Sequence, residues 1–183
     1  MAEYELLLTG IGGQGVQLGA QVVARAATLE GREVMFFGIY GGMMRGGNTD
    51  STVVVADGPI TAPPVVSRAW SAIAMHDEFW KALEPKLRAD GVVLVNDSTF
   101  ESDITAPVNV VRLKATELAA EIGNPQAGTM VLVGATNESS RWTPTMSAMR
   151  LPTRAGAGAS GPKSAESVEN SQFANDLSPP PSR

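Results

Sequence analysis

Apolar residues along this chain fall in two rhythms. Short runs rich in Val, Ile and Leu alternate with longer stretches in which apolar positions recur every three or four residues. The runs predict strands over Glu5–Thr9, Glu33–Phe37, Ser51–Ala56, Ser71–Met75, Val92–Asn96 and Val108–Leu113. Ser51-Thr-Val-Val-Val-Ala56 is β-branched and poor in helix formers. Val92-Val-Leu-Val95 is continuously apolar, as a strand buried on both faces should be. Between the runs, Val16, Ala20, Val23 and Ala27 mark one face of a helix that Gly31 stops. Glu78–Leu87 reads as a helix broken near Pro85. Thr116–Ile122 reads as a short helix stopped by Gly123, with Asn124-Pro125 following. Gly128–Ala135 suits either a strand or the first turns of a buried helix. Strands separated by helices predict an α/β domain with a mostly parallel sheet.

The junction of the first strand and first helix is Gly10-Ile-Gly-Gly-Gln-Gly-Val16, in which Gly10, Gly12 and Gly15 are spaced as Gly-x-Gly-x-x-Gly. Such a turn presents bare backbone N–H groups to an anion at a helix N-terminus, because no side chain holds the ligand away. The expected cradle is Gly10, Gly12, Gly13 and Gly15. No Ser, Thr, Asp or Asn is present to cap the first turn, which leaves its N–H groups to a ligand. The competing reading is that the glycines only let strand and helix pack closely. Dinucleotide folds carry an acidic residue at the end of the second strand for the ribose hydroxyls. Here that position holds Gly38-Ile-Tyr40-Gly41, and no carboxylate follows until Asp50. The turn therefore suits phosphate without ribose recognition of the NAD kind.

A second glycine-rich stretch, Tyr40-Gly-Gly-Met-Met-Arg-Gly-Gly-Asn-Thr-Asp50, centres on Arg45. A guanidinium matches carboxylate or phosphate with two parallel hydrogen bonds. Gly46 and Gly47 would let the backbone approach the same ligand, and Met43 and Met44 offer adaptable apolar surface. The alternative is a solvated Arg on a turn with core methionines. The stretch follows the second strand on the same sheet edge as the glycine turn, which favours a shared site.

Composition narrows the chemistry. A net charge of −5 without clustered Lys or Arg argues against nucleic acid and anionic membranes. There is no long apolar run and no secretory leader, so a soluble cytoplasmic protein is expected. The absence of cysteine removes disulfides, thiolate catalysis and Cys-held iron–sulfur clusters. One histidine, His76, cannot build a His-rich zinc site, and no G-x-S-x-G elbow is present. Any redox chemistry must come from a cofactor or a partner chain. From Thr136 to Arg183 the chain is Ser-rich, holds half of its twelve prolines and lacks apolar periodicity. It reads as a mobile tail, with a docking segment that orders on a partner as the competing reading.

Gly10-Ile-Gly-Gly-Gln-Gly-Val16, Tyr40-Gly41 and Arg45-Gly-Gly47 together closely resemble the γ subunit of 2-oxoacid:ferredoxin oxidoreductases, the pyruvate, 2-ketoisovalerate, 2-oxoglutarate and indolepyruvate enzymes. Ile60 with Pro63-Pro64 and the segment Gly128–Ala135 are similar too, and the resemblance covers about residues 4–135. It implies a Rossmann-like three-layer domain over residues 1–135, followed by the 136–183 tail, which takes the place of the family's last helices through divergence, truncation or a change of frame. It also implies a subunit that is inactive alone. The assembled enzyme oxidatively decarboxylates a 2-oxo acid to an acyl-CoA and passes electrons to ferredoxin. Thiamine diphosphate and iron–sulfur clusters would lie on partner α, β and iron–sulfur subunits. This chain would bind neither a metal nor a cofactor alone. It would meet coenzyme A at its surface through Gly10, Gly12, Gly13, Gln14, Gly15, Tyr40, Arg45, Gly46 and Gly47, and supply no catalytic residue. Where the family commonly has an acidic residue between Tyr-Gly and Arg-Gly-Gly, this chain has Met43-Met44. The alternatives are a stand-alone nucleotide- or phosphate-binding module without redox activity, and a scaffold that kept the fold and lost the site.

Overall fold

The structure is a computed structural model that describes residues 3–40, 46–60 and 66–136. In chain order the elements are β1 (Glu3–Ile11), α1 (Val16–Leu29), β2 (Glu33–Tyr40), β3 (Asn48–Ala56), β4 (Ala69–Ala74), α2 (Trp80–Leu83), β5 (Leu87–Asn96), β6 (Asn109–Leu113), α3 (Ala115–Glu121) and α4 (Gly128–Thr136). Each apolar run of the sequence forms its strand. Both predicted glycine stops act as caps. Gly31 N–H bonds Thr28 O and Arg32 N–H bonds Ala27 O; on α3, Gly123 and Asn124 do the same to Ala120 and Ala119. The stretch Glu78–Leu87 is less helical than its pattern predicts. Its α-helix covers only Trp80–Leu83, Pro85 sits in a 3₁₀ turn over Glu84–Lys86, and Leu87 already opens β5. Met43, Met44, Arg45, Pro63, Pro64 and the 137–183 segment lie outside the described residues.

The six strands form one sheet in the order β2-β3-β1-β4-β5-β6. β1, β4, β5 and β6 are successively parallel, and β3 runs antiparallel to both β1 and β2. Alternation along the strands sends side chains to two cores. Leu6, Leu8, Val53, Val55, Ile73 and Leu94 pack against α1, α3 and α4. Leu7, Ala72, Val93 and Val95 pack against Trp80 and Leu83 of α2 and against Phe100. The result is a three-layer α/β domain with a mostly parallel sheet. Gly128–Ala135 is helix, and the reason is tertiary: Thr129, Leu132 and Val133 are buried, and the Thr129 methyl sits where a Cβ on Gly19 of α1 would lie, 2.6 Å away. Strand β2 is an edge, and it leaves Phe36, Phe37 and Ile39 exposed.

Two carboxylates tie the loop after β5 to the region around α2. Asp77 accepts from Ser102 Oγ at 2.8 Å and from the N–H groups of Ser102 and Glu101. Glu84 accepts from the N–H groups of Thr105 and Ala106 and from Thr105 Oγ1. Desolvation opposes ionisation at both, but these hydrogen bonds outweigh it and hold both carboxyls below their ordinary range. A lowered native pKa contributes stability above the unfolded value, near 4, that is lost as pH falls through the native value. The thermal midpoint should therefore drop as pH falls below about 4, and Asp77→Asn should flatten part of that drop. An acid limb identical in Asp77→Asn and the parent chain would refute the assignment.

Candidate functional site

The carboxyl ends of β1, β4 and β5 lie on one edge of the sheet, and there the glycine turn joins β1 to α1. Gly13 has φ 106° and Gly15 has φ 78°, left-handed angles that a residue with a Cβ adopts only under strain. Gly15 is the N-cap of α1, and no side chain caps the first turn. The first helical bond runs from Gly19 N–H to Gly15 O at 2.9 Å. An open helix start of this kind carries about half a positive charge. A cleft of about 340 Å³ opens against it, lined by Ile11, Gly13, Gly15, Val16, Gln17, Leu18 and Thr49. A Cβ on Gly13 would meet no atom within 4 Å, so the backbone there is open to a ligand.

The two readings of the glycine pattern divide among its members. Gly13 and Gly15 line the cleft. Gly10 faces the interior, where a Cβ would stand 2.6 Å from Gln14 Oε1 and 2.9 Å from both Met75 Cβ and Val16 Cγ2. Gly12 pairs with the second glycine stretch: its N–H donates to Gly47 O at 2.9 Å, and its carbonyl receives Gly46 N–H at 3.5 Å. The two motifs thus meet through backbone. Gln14 turns its amide inward, accepting from Ile11 N–H at 2.9 Å and donating to Met75 O at 3.4 Å. Tyr40 ends β2 and pairs with Thr49. Arg45 lies outside the described residues, one position before Gly46.

Sequence reasoning missed several residues of the site. Gln17 is buried on α1, and its Nε2 donates to Asp50 O at 2.9 Å and to Ile39 O at 3.4 Å. It occupies the space of a Cβ on Gly38, which explains that glycine in β2. A polar residue inside an apolar helical stripe is the one local signal for it. Asp50 does not stand in for the missing ribose acid. Its Oδ1 accepts from Thr9 Oγ1 at 2.7 Å and its Oδ2 from Asn48 Nδ2 at 2.9 Å, so it stitches β1 to β3. Because β3 lies between β1 and β2, the end of β2 is one strand removed from the turn. The NAD-type geometry is therefore absent from the topology as well as from the residue type. Among the described residues no group of three His, Cys, Asp or Glu could hold a metal, and no helix is long and apolar enough to cross a membrane.

Residues 5–149 match the family model described as pyruvate ferredoxin/flavodoxin oxidoreductase. The chain belongs to this family. It is 32% identical over 135 residues to the 2-oxoglutarate synthase subunit KorC of Methanocaldococcus jannaschii, covering 72% of each chain. It is 25% identical over 136 residues to the common γ subunit of the pyruvate/ketoisovalerate oxidoreductases of Pyrococcus abyssi, covering 70% of this chain and 74% of that one. In fold it is similar to the γ subunit of a keto/oxoacid ferredoxin oxidoreductase from Geobacter sulfurreducens, with a TM-score of 0.67, 23% identity and coverage of 77% and 78%. The same TM-score, 0.67, relates it to a 2-oxoglutarate:ferredoxin oxidoreductase from Magnetococcus marinus solved with 2-oxoglutarate, coenzyme A and succinyl-CoA, at 18% identity, covering 80% of this chain and 27% of that one. The expected family and α/β fold are thereby established, and the family match continues past Ala135.

Proposed function

We propose that this chain is the γ subunit of a multi-subunit 2-oxoacid:ferredoxin oxidoreductase, and that it holds an anionic part of coenzyme A in the cleft beside the glycine turn. Coenzyme A supplies the thiol that takes up the acyl group of the decarboxylated 2-oxo acid. Thiamine diphosphate and the iron–sulfur clusters belong, in this reading, to partner α, β and iron–sulfur subunits of a cytoplasmic assembly. One observation carries the reading: an uncapped, positively polarised helix start faces a cleft with Gly13 open to it. The residues present fit a phosphate group, which needs N–H donors and close backbone approach rather than a ribose carboxylate. Gly46, the residue that follows Arg45 in the sequence, bonds to Gly12 at the turn. This supports Arg45 as the second cationic contribution to the same ligand. The relatives are named as subunits, and the apolar edge strand β2 supports packing against a partner.

The test is reconstitution. Co-expressed with thiamine-binding and iron–sulfur partner subunits, the chain should co-purify with them and be required for coenzyme A-dependent turnover of a 2-oxo acid. Alone it should turn over no 2-oxo acid with a dye acceptor. Phe37→Lys and Ile39→Lys on the exposed face of β2 should abolish co-purification while leaving the thermal midpoint of the free chain within a few degrees. Full assembly of both variants would place the interface elsewhere. Turnover by the chain alone would overturn the subunit reading.

A further inference from the structure

Gln14 lies inside the glycine motif, yet it does not line the cleft. Its surroundings assign it another role. In open α/β sheets the ligand crevice opens where neighbouring strands send their connections in opposite directions. Here that point lies between β1 and β4. β1 leads through α1 to β2 and β3 on one side, and β4 leads to β5 and β6 on the other. The last backbone bond between the two strands is Met75 N–H to Thr9 O at 2.9 Å. Beyond it the Gln14 amide bridges the gap, with Oε1 on Ile11 N–H and Nε2 on Met75 O. Met75 O is itself held by Thr99 Oγ1 and by Asn96 Nδ2 at 3.5 Å. From α4, the buried Thr129 donates its hydroxyl to Gln14 O at 2.6 Å, across 115 residues of sequence.

We propose that Gln14 and Thr129 are positioning residues: together they lock the glycine turn, close the β1/β4 crevice and hold the open backbone of Gly13, with Gly15 beside it, against the cleft on the β3 side. A side-chain amide accepts at one end and donates at the other, as Ile11 N–H and Met75 O require. Gly10 completes the lock, since any Cβ there would occupy the place of Gln14 Oε1. The identity of the ligand rests on the coenzyme A reading; the lock itself does not.

The experiment uses the assembled enzyme with Gln14→Met, Thr129→Val and Thr129→Ser, and with Leu18→Glu as a control. Leu18 lines the cleft and is exposed, so a carboxylate there repels an anionic ligand without touching the lock. Two quantities are read: the KM values for coenzyme A and for the 2-oxo acid, and hydrogen exchange of the 11–17 segment. Gln14→Met and Thr129→Val should speed exchange and raise the KM for coenzyme A roughly tenfold, with kcat and the oxo-acid KM within about twofold. Thr129→Ser, which keeps the hydroxyl, should restore both. If Leu18→Glu raises the coenzyme A KM while Gln14→Met and Thr129→Val change neither readout, the lock is overturned and the coenzyme A reading stands. If exchange rises in both lock variants but no variant moves the coenzyme A KM, the lock stands and the coenzyme A reading fails. If the KM values of both substrates rise together and Thr129→Ser behaves like Thr129→Val, the residues only stabilise the fold and the proposal is overturned.

Discussion

Gly10→Ala should lower the thermal midpoint of the full chain by about 5–10 °C, from overpacking worth about 2–3 kcal/mol. The added methyl has no exit. The Gln14 amide could swing away from it, but only by giving up the bonds of its Oε1 to Ile11 N–H and of its Nε2 to Met75 O, and Met75 Cβ and Val16 Cγ2 hem the site in at 2.9 Å. The comparison variant is Gly13→Ala, where no atom lies within 4 Å and the cost is that of a left-handed backbone angle, about 1–2 kcal/mol. Calorimetry should thus place Gly10→Ala below Gly13→Ala in stability. Ligand affinity should suffer in both, through a shifted turn in one and a methyl in the cleft in the other. Equal midpoints for Gly10→Ala and the parent would show that Gly10 is not confined by its neighbours.

Arg45→Ala should raise the KM for coenzyme A in the assembled enzyme by about 10–100-fold, the loss expected when charge-assisted hydrogen bonds to a phosphate are removed. The KM for the 2-oxo acid should stay within about twofold, because the proposed function assigns that substrate to the partner subunits. Arg45→Lys should fall between the two. It keeps the charge and gives up the two-pronged contact. The loss should also shrink as ionic strength rises, since part of the attraction is screened charge. Unchanged coenzyme A kinetics in Arg45→Ala would remove this residue from the site.

The two glycine stretches were legible in the sequence, and so was their likeness to the family, because turn chemistry is local. A strand, three spaced glycines and an uncapped helix are neighbours in the chain, and Arg45-Gly-Gly47 carries its own signature. The division of labour within the motif was not legible. Gly10, Gly13 and Gly15 look alike in one dimension, and only the positions of Gln14, Met75 and Val16 separate the glycine that makes room from those that line the cleft.

Strand positions, the glycine caps of α1 and α3 and the two-faced core were determined by the sequence alone, because each depends on side-chain period and backbone propensity over a few residues. Strand order was not. The insertion of β3 between β1 and β2 depends on a long-range antiparallel pairing, and it is that pairing which brings Gly47 to Gly12 and Thr49 to the cleft. The helical state of Gly128–Thr136 was likewise decided by tertiary packing. Its apolar residues suit either period, and the slot against α1 at Gly19 accepts a helix. That same packing carries the Thr129 hydroxyl to Gln14 across the whole domain, a contact with no local trace in the chain because nothing in a residue's neighbours records what folds back onto it.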